Sequence, residues 1–272
     1  MSKSKFRTTE LSNPKFEMDG LRFITVKTNN LKGRGDICVF VPEGDHKDLP
    51  IVTLLHGVYG SAWIWCMMGG AHVTANRLIK EGKIKPVILA MPSDGLWGDG
   101  SAYNDHHGYS FEKWIAEDVP QAVRENIPQT SKASPLFISG LSMGGFGALR
   151  IGAKYSAQYD GVSGHSSITE IQQMELFVEE KLDNYAQDKR EDEDVLTAVL
   201  QHKATLPPFR FDCGNTDELI TFNRVLHQQL NENNIEHVYE EFEGGHQWEY
   251  WYEHLEDTLL FFDKIEKQSI SS

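Results

Sequence analysis

The chain has 272 residues, 40% of them hydrophobic and 24% charged, which is ordinary for a globular protein with one large core. Its net charge of −14 at pH 7 excludes the basic field that phosphate recognition needs, so we expect no nucleic acid among its partners. No apolar run approaches the roughly 18 residues of a membrane span, and the first residues of this sequence lack the apolar core and the small-residue cleavage site of a secretory signal, which leaves open whether one has been removed. We therefore expect no membrane partner.

The cysteines and histidines argue against a disulfide framework and against a metal site. The three cysteines, Cys38, Cys66 and Cys213, are odd in number and far apart in the sequence, which favours reduced thiols in the cytoplasm. None of them has the spacing of metal ligands. His106 and His107 are adjacent, so an extended chain would direct their side chains apart. The sequence predicts neither a metal nor another cofactor.

The first half of the chain reads as a hairpin followed by buried strands and helices. "LRFITVKT" (21–28) and "GDICVFVP" (35–42) are apolar runs joined by a turn-rich segment, the pattern of an antiparallel hairpin. "PIVTLLHG" (50–57) and "KPVILAMP" (85–92) are continuous apolar runs, typical of strands buried on both faces of a parallel sheet. The segment from Ala71 to Glu81 between them predicts a helix.

The middle of the chain continues the alternation of helix and strand. Residues 110–127 have a helical period, and Pro120 either kinks this helix or starts a second one. "SPLFISG" (134–140) predicts a strand, and "MGGFGALRIGAKY" (143–155) predicts the helix that follows directly. "YDGVSGHSS" (159–167) predicts the next strand.

The last third predicts two more strands and two more helices. The strands are "PFRFDCG" (208–214) and "EHVYEEFEGG" (236–245), and the helices run from Glu218 to about Glu232 and from Trp248 to Lys267. Alternation of this kind predicts a single α/β domain with a mostly parallel sheet, helices on both faces and an N-terminal antiparallel hairpin.

One acidic segment, residues 169–204, departs from this alternation. Its composition predicts helices. It is either a solvated helical excursion or a partial cap over a site at the carboxyl edge of the sheet, where insertions in α/β folds commonly lie.

The segment "SGLSMGGFGALR" (139–150) places Ser142 in a G-x-S-x-G motif between a predicted strand and a predicted helix. In that context the motif forms a strained turn that projects the serine hydroxyl above the sheet as a nucleophile. Gly140 and Gly144 are expected there because strand and helix approach closely. A phosphate-binding turn is the alternative, but the G-x-G-x-x-G spacing is not met.

A serine nucleophile needs a histidine base, which follows it in the chain order of this topology. His246 lies in "EGGHQW", a loop between the last predicted strand and the last predicted helix, from which it can reach back over the sheet. His165 could line the site, but it precedes every plausible acid. The other histidines after Ser142 lie within predicted helices or open the last strand: His202, His227, His237 and His254.

Two aspartates in "FRFDCGNTDEL" could orient this base. Asp212 lies within the strand, whereas Asp217 lies in the loop beyond the strand's carboxyl end, where a triad acid is expected. Asn215 and Glu218 match a capping-box pattern, which would leave Asp217 free for another partner. We therefore predict Asp217 as the acid.

The oxyanion that forms during acyl transfer needs two backbone N–H donors. Met143, the residue after the nucleophile, is predicted to supply one of them, and Val58 in "HGVYGSAW" is predicted to supply the other. His56 precedes the serine and is expected to shape this loop through hydrogen bonds.

Four motifs together, "HGVYGSAW", "SGLSMGGFGALR", "CGNTD" and "GGHQWEYW", resemble the esterase D family of α/β-hydrolases over roughly residues 20 to 265. That family includes S-formylglutathione hydrolases, short-chain carboxylesterases, feruloyl and acetylxylan esterases, and mycolyltransferases. The resemblance implies the α/β-hydrolase fold, the triad Ser142, Asp217 and His246, and the oxyanion donors Val58 and Met143. Leu141 and "GGHQWEYW" depart from the formylglutathione branch and are more similar to the esterase and feruloyl esterase branches.

We therefore expect a serine carboxylesterase that hydrolyses small acyl or aryl esters through an acyl-enzyme intermediate. An acyltransferase or an S-acylglutathione thioesterase on the same triad is the alternative, and a catalytically silent binding protein with this fold is a different class. The sequence leaves the oligomeric state open, a homo-oligomer included. Four aromatic residues either wall an acyl or aromatic pocket or belong to the core: Trp63, Trp65, Trp97 and Tyr103.

Overall fold

The computed structural model describes residues 4–271, with side chains through residue 268. In this part of the chain nine strands form one sheet in the order β1-β2-β3-β5-β4-β6-β7-β8-β9. The strands are β1 (Thr9–Leu11), β2 (Leu21–Thr28), β3 (Gly33–Phe40), β4 (Ile51–Leu55), β5 (Ile88–Pro92), β6 (Leu136–Leu141), β7 (Gly161–His165), β8 (Phe209–Gly214) and β9 (Val238–Phe242).

The sheet is mostly parallel, as the sequence predicts. Strands β5, β4, β6, β7, β8 and β9 pair in parallel. The hairpin of β2 and β3 is antiparallel, and β3 pairs antiparallel with β5, which attaches the hairpin to the parallel strands. The short strand β1 extends the antiparallel edge and was not predicted.

Helices cover both faces of the sheet because its central strands are apolar on both sides. One core contains Leu78 and Leu255, which place α2 and α8 on one face, and the other contains Val123, Leu149 and Leu226 from α4, α5 and α7. The helices are α1 (Ile64–Met67), α2 (Ala71–Lys80), α3 (Phe111–Lys113), α4 (Val119–Asn126), α5 (Met143–Lys154), α6 (Val195–His202), α7 (Ile220–Glu232) and α8 (Trp248–Ser271).

Residues 111–126 form one continuous helical segment that changes type along its length, and Pro120 starts no separate helix. A π-helical turn, Trp114–Asp118, separates α3 from α4, and Pro120 lies in the first turn of α4. The Val119 N–H donates to the Trp114 carbonyl across the π-helical turn, so the helical hydrogen bonds continue up to the proline, which itself has no N–H to donate.

The segment 169–204 is less helical than its composition predicts. It contains 3₁₀ turns at Ile171–Leu176, Leu182–Tyr185 and Arg190–Asp192, and α6 is its longest helix. Several of its apolar side chains are not solvated, since Ile171, Met174 and Tyr185 are buried in the same core as α5. The segment is therefore packed onto the domain.

Two pairs of side chains that the sequence suggests are far apart lie in contact. The sulfur atoms of Cys38 and Cys66 lie 3.5 Å from each other in the core, although their positions in the sequence are distant. His106 and His107 turn toward each other, with their Nδ1 atoms 3.0 Å apart, because His107 adopts a positive φ of 52°.

No group of three or more potential ligands that could hold a metal ion occurs among the described residues. Within the same residues, no helix has both the length and the apolar character of a membrane span.

Candidate active site

Ser142 occupies a sharp turn between β6 and α5. Its backbone has φ 55° and ψ −120°, a conformation that non-glycine residues rarely adopt. A Cβ added at Gly140 would lie 2.2 Å from the Gly144 carbonyl oxygen, and one at Gly144 would lie 2.3 Å from that of Leu55. The turn therefore requires glycine at both positions, and it raises the serine hydroxyl above the carboxyl end of the sheet.

Ser142, His246 and Asp217 come together from three loops that are distant in the sequence. The Oγ of Ser142 lies 2.9 Å from Nε2 of His246. The Nδ1 of the same imidazole lies 3.0 and 3.1 Å from the carboxylate oxygens of Asp217. Since a carboxylate only accepts, Nδ1 carries the proton and Nε2 is left to accept the serine O–H.

The Asp217 carboxylate is held ionised by the groups that donate to it. Burial alone would raise the pKa of this carboxyl, but the hydrogen bond and charge of His246 hold the pKa below its ordinary value. The backbone N–H of Leu219 also donates to Oδ1 at 2.8 Å. The capping-box pattern at Asn215 does not form, since α7 begins only at Ile220.

Asp212 and His165 belong to a separate buried network. The Asp212 carboxylate accepts hydrogen bonds from Arg210 at 2.6 Å and from Tyr250 at 2.7 Å. It also lies 2.9 Å from Nδ1 of His165. Burial alone would raise the pKa of Asp212, but His165 and Arg210 hold it far below its ordinary value. The side chain of His165 is thus used within the sheet, and only its carbonyl contacts the site, where it accepts from the Ser142 N–H at 2.9 Å.

The loop after β4 carries Val58 beside Met143. A Cβ added at Gly100 would lie 2.5 Å from the Met143 sulfur and 3.4 Å from a Val58 methyl, so both side chains pack against the same glycine. Among the described residues, neither backbone N–H is seen to donate a hydrogen bond. His56 shapes this loop from its buried position: its Nδ1 lies 2.7 Å from the Gly57 carbonyl, and its Nε2 accepts from the Asp94 N–H at 3.1 Å.

The four aromatic residues predicted near the pocket have different environments. Trp65 and Tyr103 are fully buried, and their polar atoms donate to the backbone carbonyls of Leu55 and His56. They are core residues that support the loops around the site rather than walls of a pocket. Trp63 is 46% exposed, and Trp97 is half-buried.

Part of the segment 169–204 reaches the histidine, which the sequence did not indicate. The ring of Phe177 stacks on the His246 imidazole, with centroids 5.1 Å apart and planes at 22°. Trp251 approaches the same imidazole edge-on at 5.0 Å. Nothing in the sequence singles out Phe177, because the contact depends on the path of an irregular segment.

Three carboxylates lie near enough to the hydroxyl of Tyr59, the residue after Val58, to affect its pKa. Tyr59 is 67% exposed, and desolvation together with nearby negative charge raises the pKa of its hydroxyl. The charges belong to Asp99, Glu179 and Glu180. The rim of the site on this side is therefore acidic.

A family model described as "Putative esterase" matches residues 28–262. An acetyl esterase from Caldicellulosiruptor saccharolyticus is 29% identical over 244 residues, which cover 83% of this chain and 88% of that protein. A solved ferulic acid esterase superposes with a TM-score of 0.77 at 22% identity over 94% of this chain and 99% of its own. For the S-formylglutathione hydrolase of Staphylococcus aureus the TM-score is 0.75 at 19% identity, over 93% of this chain and 98% of that one. These structural similarities establish the α/β-hydrolase fold.

Proposed function

The chain belongs to the esterase family, and from that premise we propose that it hydrolyses small, uncharged acyl or aryl esters with Ser142 as the nucleophile. The observation that carries the proposal is the continuous contact from Ser142 Oγ through the His246 imidazole to the Asp217 carboxylate. Membership of the family indicates ester hydrolysis in general, whereas the roles of the individual residues are inferred from this geometry.

In the first half of the proposed reaction, His246 Nε2 takes the hydroxyl proton while Ser142 Oγ attacks the ester carbonyl carbon. The negative charge moves to the carbonyl oxygen, where the N–H groups of Val58 and Met143 donate to it. Asp217 stabilises the imidazolium that forms, and it keeps Nε2 directed at the serine. Collapse of the intermediate expels the alcohol, which leaves with the proton from Nε2, and an acyl-enzyme remains.

In the second half, water replaces the alcohol. Nε2 takes a proton from the water, whose oxygen attacks the acyl carbon through the same oxyanion contacts. The intermediate then releases the carboxylic acid, and the proton on Nε2 returns to Ser142 Oγ. The enzyme is restored, and one ester bond and one water are consumed.

The acidic rim favours an ester over an S-acylglutathione thioester. Glutathione carries two carboxylates and one ammonium, so its S-acyl thioesters reach the site with a net negative charge. The carboxylates of Asp99, Glu179 and Glu180 and the net charge of −14 oppose that approach. The relative named an acetyl esterase supports a short acyl group.

We expect kcat/KM for p-nitrophenyl esters to peak at short acyl chains and to fall steeply toward palmitate. Each methylene that fits adds up to ~0.8 kcal/mol, while one that clashes reverses the sign. The measurement compares esters from acetate to palmitate, a feruloyl ester and S-formylglutathione. A profile that still rises at long chains, or a preference for S-formylglutathione, would contradict the proposed substrate class.

A further inference from the structure

The imidazole of His246 is held by more than its carboxylate. Phe177 lies nearly parallel to the ring, with the two centroids 5.1 Å apart, and Trp251 approaches the ring at right angles. Contacts with Asp217 fix Nδ1, but a ring anchored at one atom can still tilt about that contact. A flat neighbour that stacks on the imidazole restricts this tilt, and the direction of Nε2 depends on it.

Phe177 is in turn fastened to the loop that carries Val58. The Oη of Tyr59 donates a hydrogen bond of 2.6 Å to the backbone carbonyl of Phe177. Tyr59 itself has a left-handed backbone with φ 60°, and its N–H donates to the Asp99 carbonyl at 2.8 Å. The Tyr59 side chain thus links the loop after β4 that carries Val58, called the oxyanion loop below, to Phe177, which stacks on the His246 imidazole.

Asp99 makes a second connection to the same short segment, residues 177–180. Its Oδ2 accepts from the Glu179 N–H at 2.8 Å, and its N–H donates to Glu180 Oε1 at 3.0 Å. The segment 177–180 therefore keeps two attachments when the Tyr59 hydroxyl is removed. Loss of that hydroxyl should loosen Phe177 without releasing the segment.

We propose that Tyr59 is a positioning residue that acts through Phe177 to hold the His246 imidazole in line with Ser142. This inference rests on the proposed function, in which His246 is the base. It assigns to the segment 177–180 the role of a cap that joins the oxyanion loop to the base. The variant Tyr59→Phe tests this role, because it removes the Tyr59 hydroxyl and leaves every other side chain unchanged.

The test is Tyr59→Phe, with Tyr252→Phe as the matched control. Tyr252 is also exposed, and its hydroxyl has no hydrogen bond in the described part of the chain. We expect Tyr59→Phe to lower kcat for a short ester about fivefold, the factor that corresponds to one ordinary hydrogen bond of ~1 kcal/mol, with KM unchanged. We expect Tyr252→Phe to match the parent protein.

A second readout does not depend on any substrate. In proton NMR the Nδ1–H of a histidine that donates to a carboxylate resonates far downfield, and this signal broadens when the imidazole becomes more mobile and exposed to water. We expect broadening in Tyr59→Phe and in Phe177→Leu, but not in Tyr252→Phe. An unchanged kcat together with an unchanged resonance in Tyr59→Phe would overturn the proposal. If the parent protein hydrolyses no ester, the proposed function fails, and the resonance still tests the positioning role.

Discussion

Asp212 and Asp217 are close in the sequence, but their carboxylates face different partners. Asp217 contacts Nδ1 of His246, whereas Asp212 accepts from Arg210 and Tyr250 inside the sheet. Burial alone would raise the pKa of both carboxyls, so burial does not distinguish the role of Asp212 from that of Asp217. Their hydrogen-bond partners do distinguish them, so we expect different effects when each carboxylate is replaced by a neutral amide.

We predict that Asp217→Asn lowers kcat for ester hydrolysis by about 10⁴ while the protein stays folded, because an amide can donate to Nδ1 and favours the wrong tautomer. Asp212→Asn should instead reduce the free energy of unfolding, because it removes the buried charge that Arg210, Tyr250 and His165 contact and leaves the Arg210 guanidinium with Glu240 as its carboxylate. Steady-state kinetics and urea unfolding of both variants separate the two effects. A folded, catalytically inactive Asp212→Asn protein beside an active Asp217→Asn protein would contradict the assignment.

For single residues, the sequence predicts spatial neighbours where these follow from the order of strands and loops along the chain. Ser142, Asp217 and His246 each follow a strand's carboxyl end in a parallel sheet, so their convergence could be predicted. Phe177 could not, because its path depends on 3₁₀ turns without a periodic signal. Nor could the burial of Trp65 and Tyr103, since an aromatic residue in a loop serves a core as readily as a pocket.

The turn between β6 and α5 is the element on which the site depends. Backbone atoms, not mobile side chains, occupy the space that a Cβ would need at Gly144. Strand β4 cannot move away without breaking its pairing with β5 and β6, and α5 cannot move away without opening the core that it forms with β6 and β7. Strand and helix were predictable here because a short apolar run meets a glycine-rich helical period, whereas the π-helical turn before α4 carries no comparable signal.

We expect Gly144→Ala to destabilise the protein by at least ~1–3 kcal/mol and to abolish ester hydrolysis, since an added methyl would lie 2.3 Å from the Leu55 carbonyl oxygen. Gly33→Ala is the control, because its Cβ would meet only an ordinary contact at 3.4 Å. Thermal unfolding and ester hydrolysis are measured on both. Parent-like stability and activity in Gly144→Ala would mean that the turn is not as close-packed as the structure has it.

For the whole molecule, the charge and the fold together limit what reaches the serine. The net charge of −14 and the carboxylates near Tyr59 disfavour anions. The order of strands and helices was predictable from the sequence because apolar runs alternate with helical periods. How the segment 169–204 packs was not, because its composition suits a solvated helix, while its buried side chains place it against α5.

The most direct test of the central claim is covalent labelling with a fluorophosphonate, read by intact mass and by peptide mapping alongside ester hydrolysis. An activated serine displaces fluoride from phosphorus and retains the phosphonyl group. We predict one label per chain, on the peptide that contains Ser142, with loss of hydrolysis in proportion to labelling. Ser142→Ala should remain folded, take no label and lose activity by several orders of magnitude. A folded Ser142→Ala protein that keeps near-parent activity, or a label on another serine, would contradict the account.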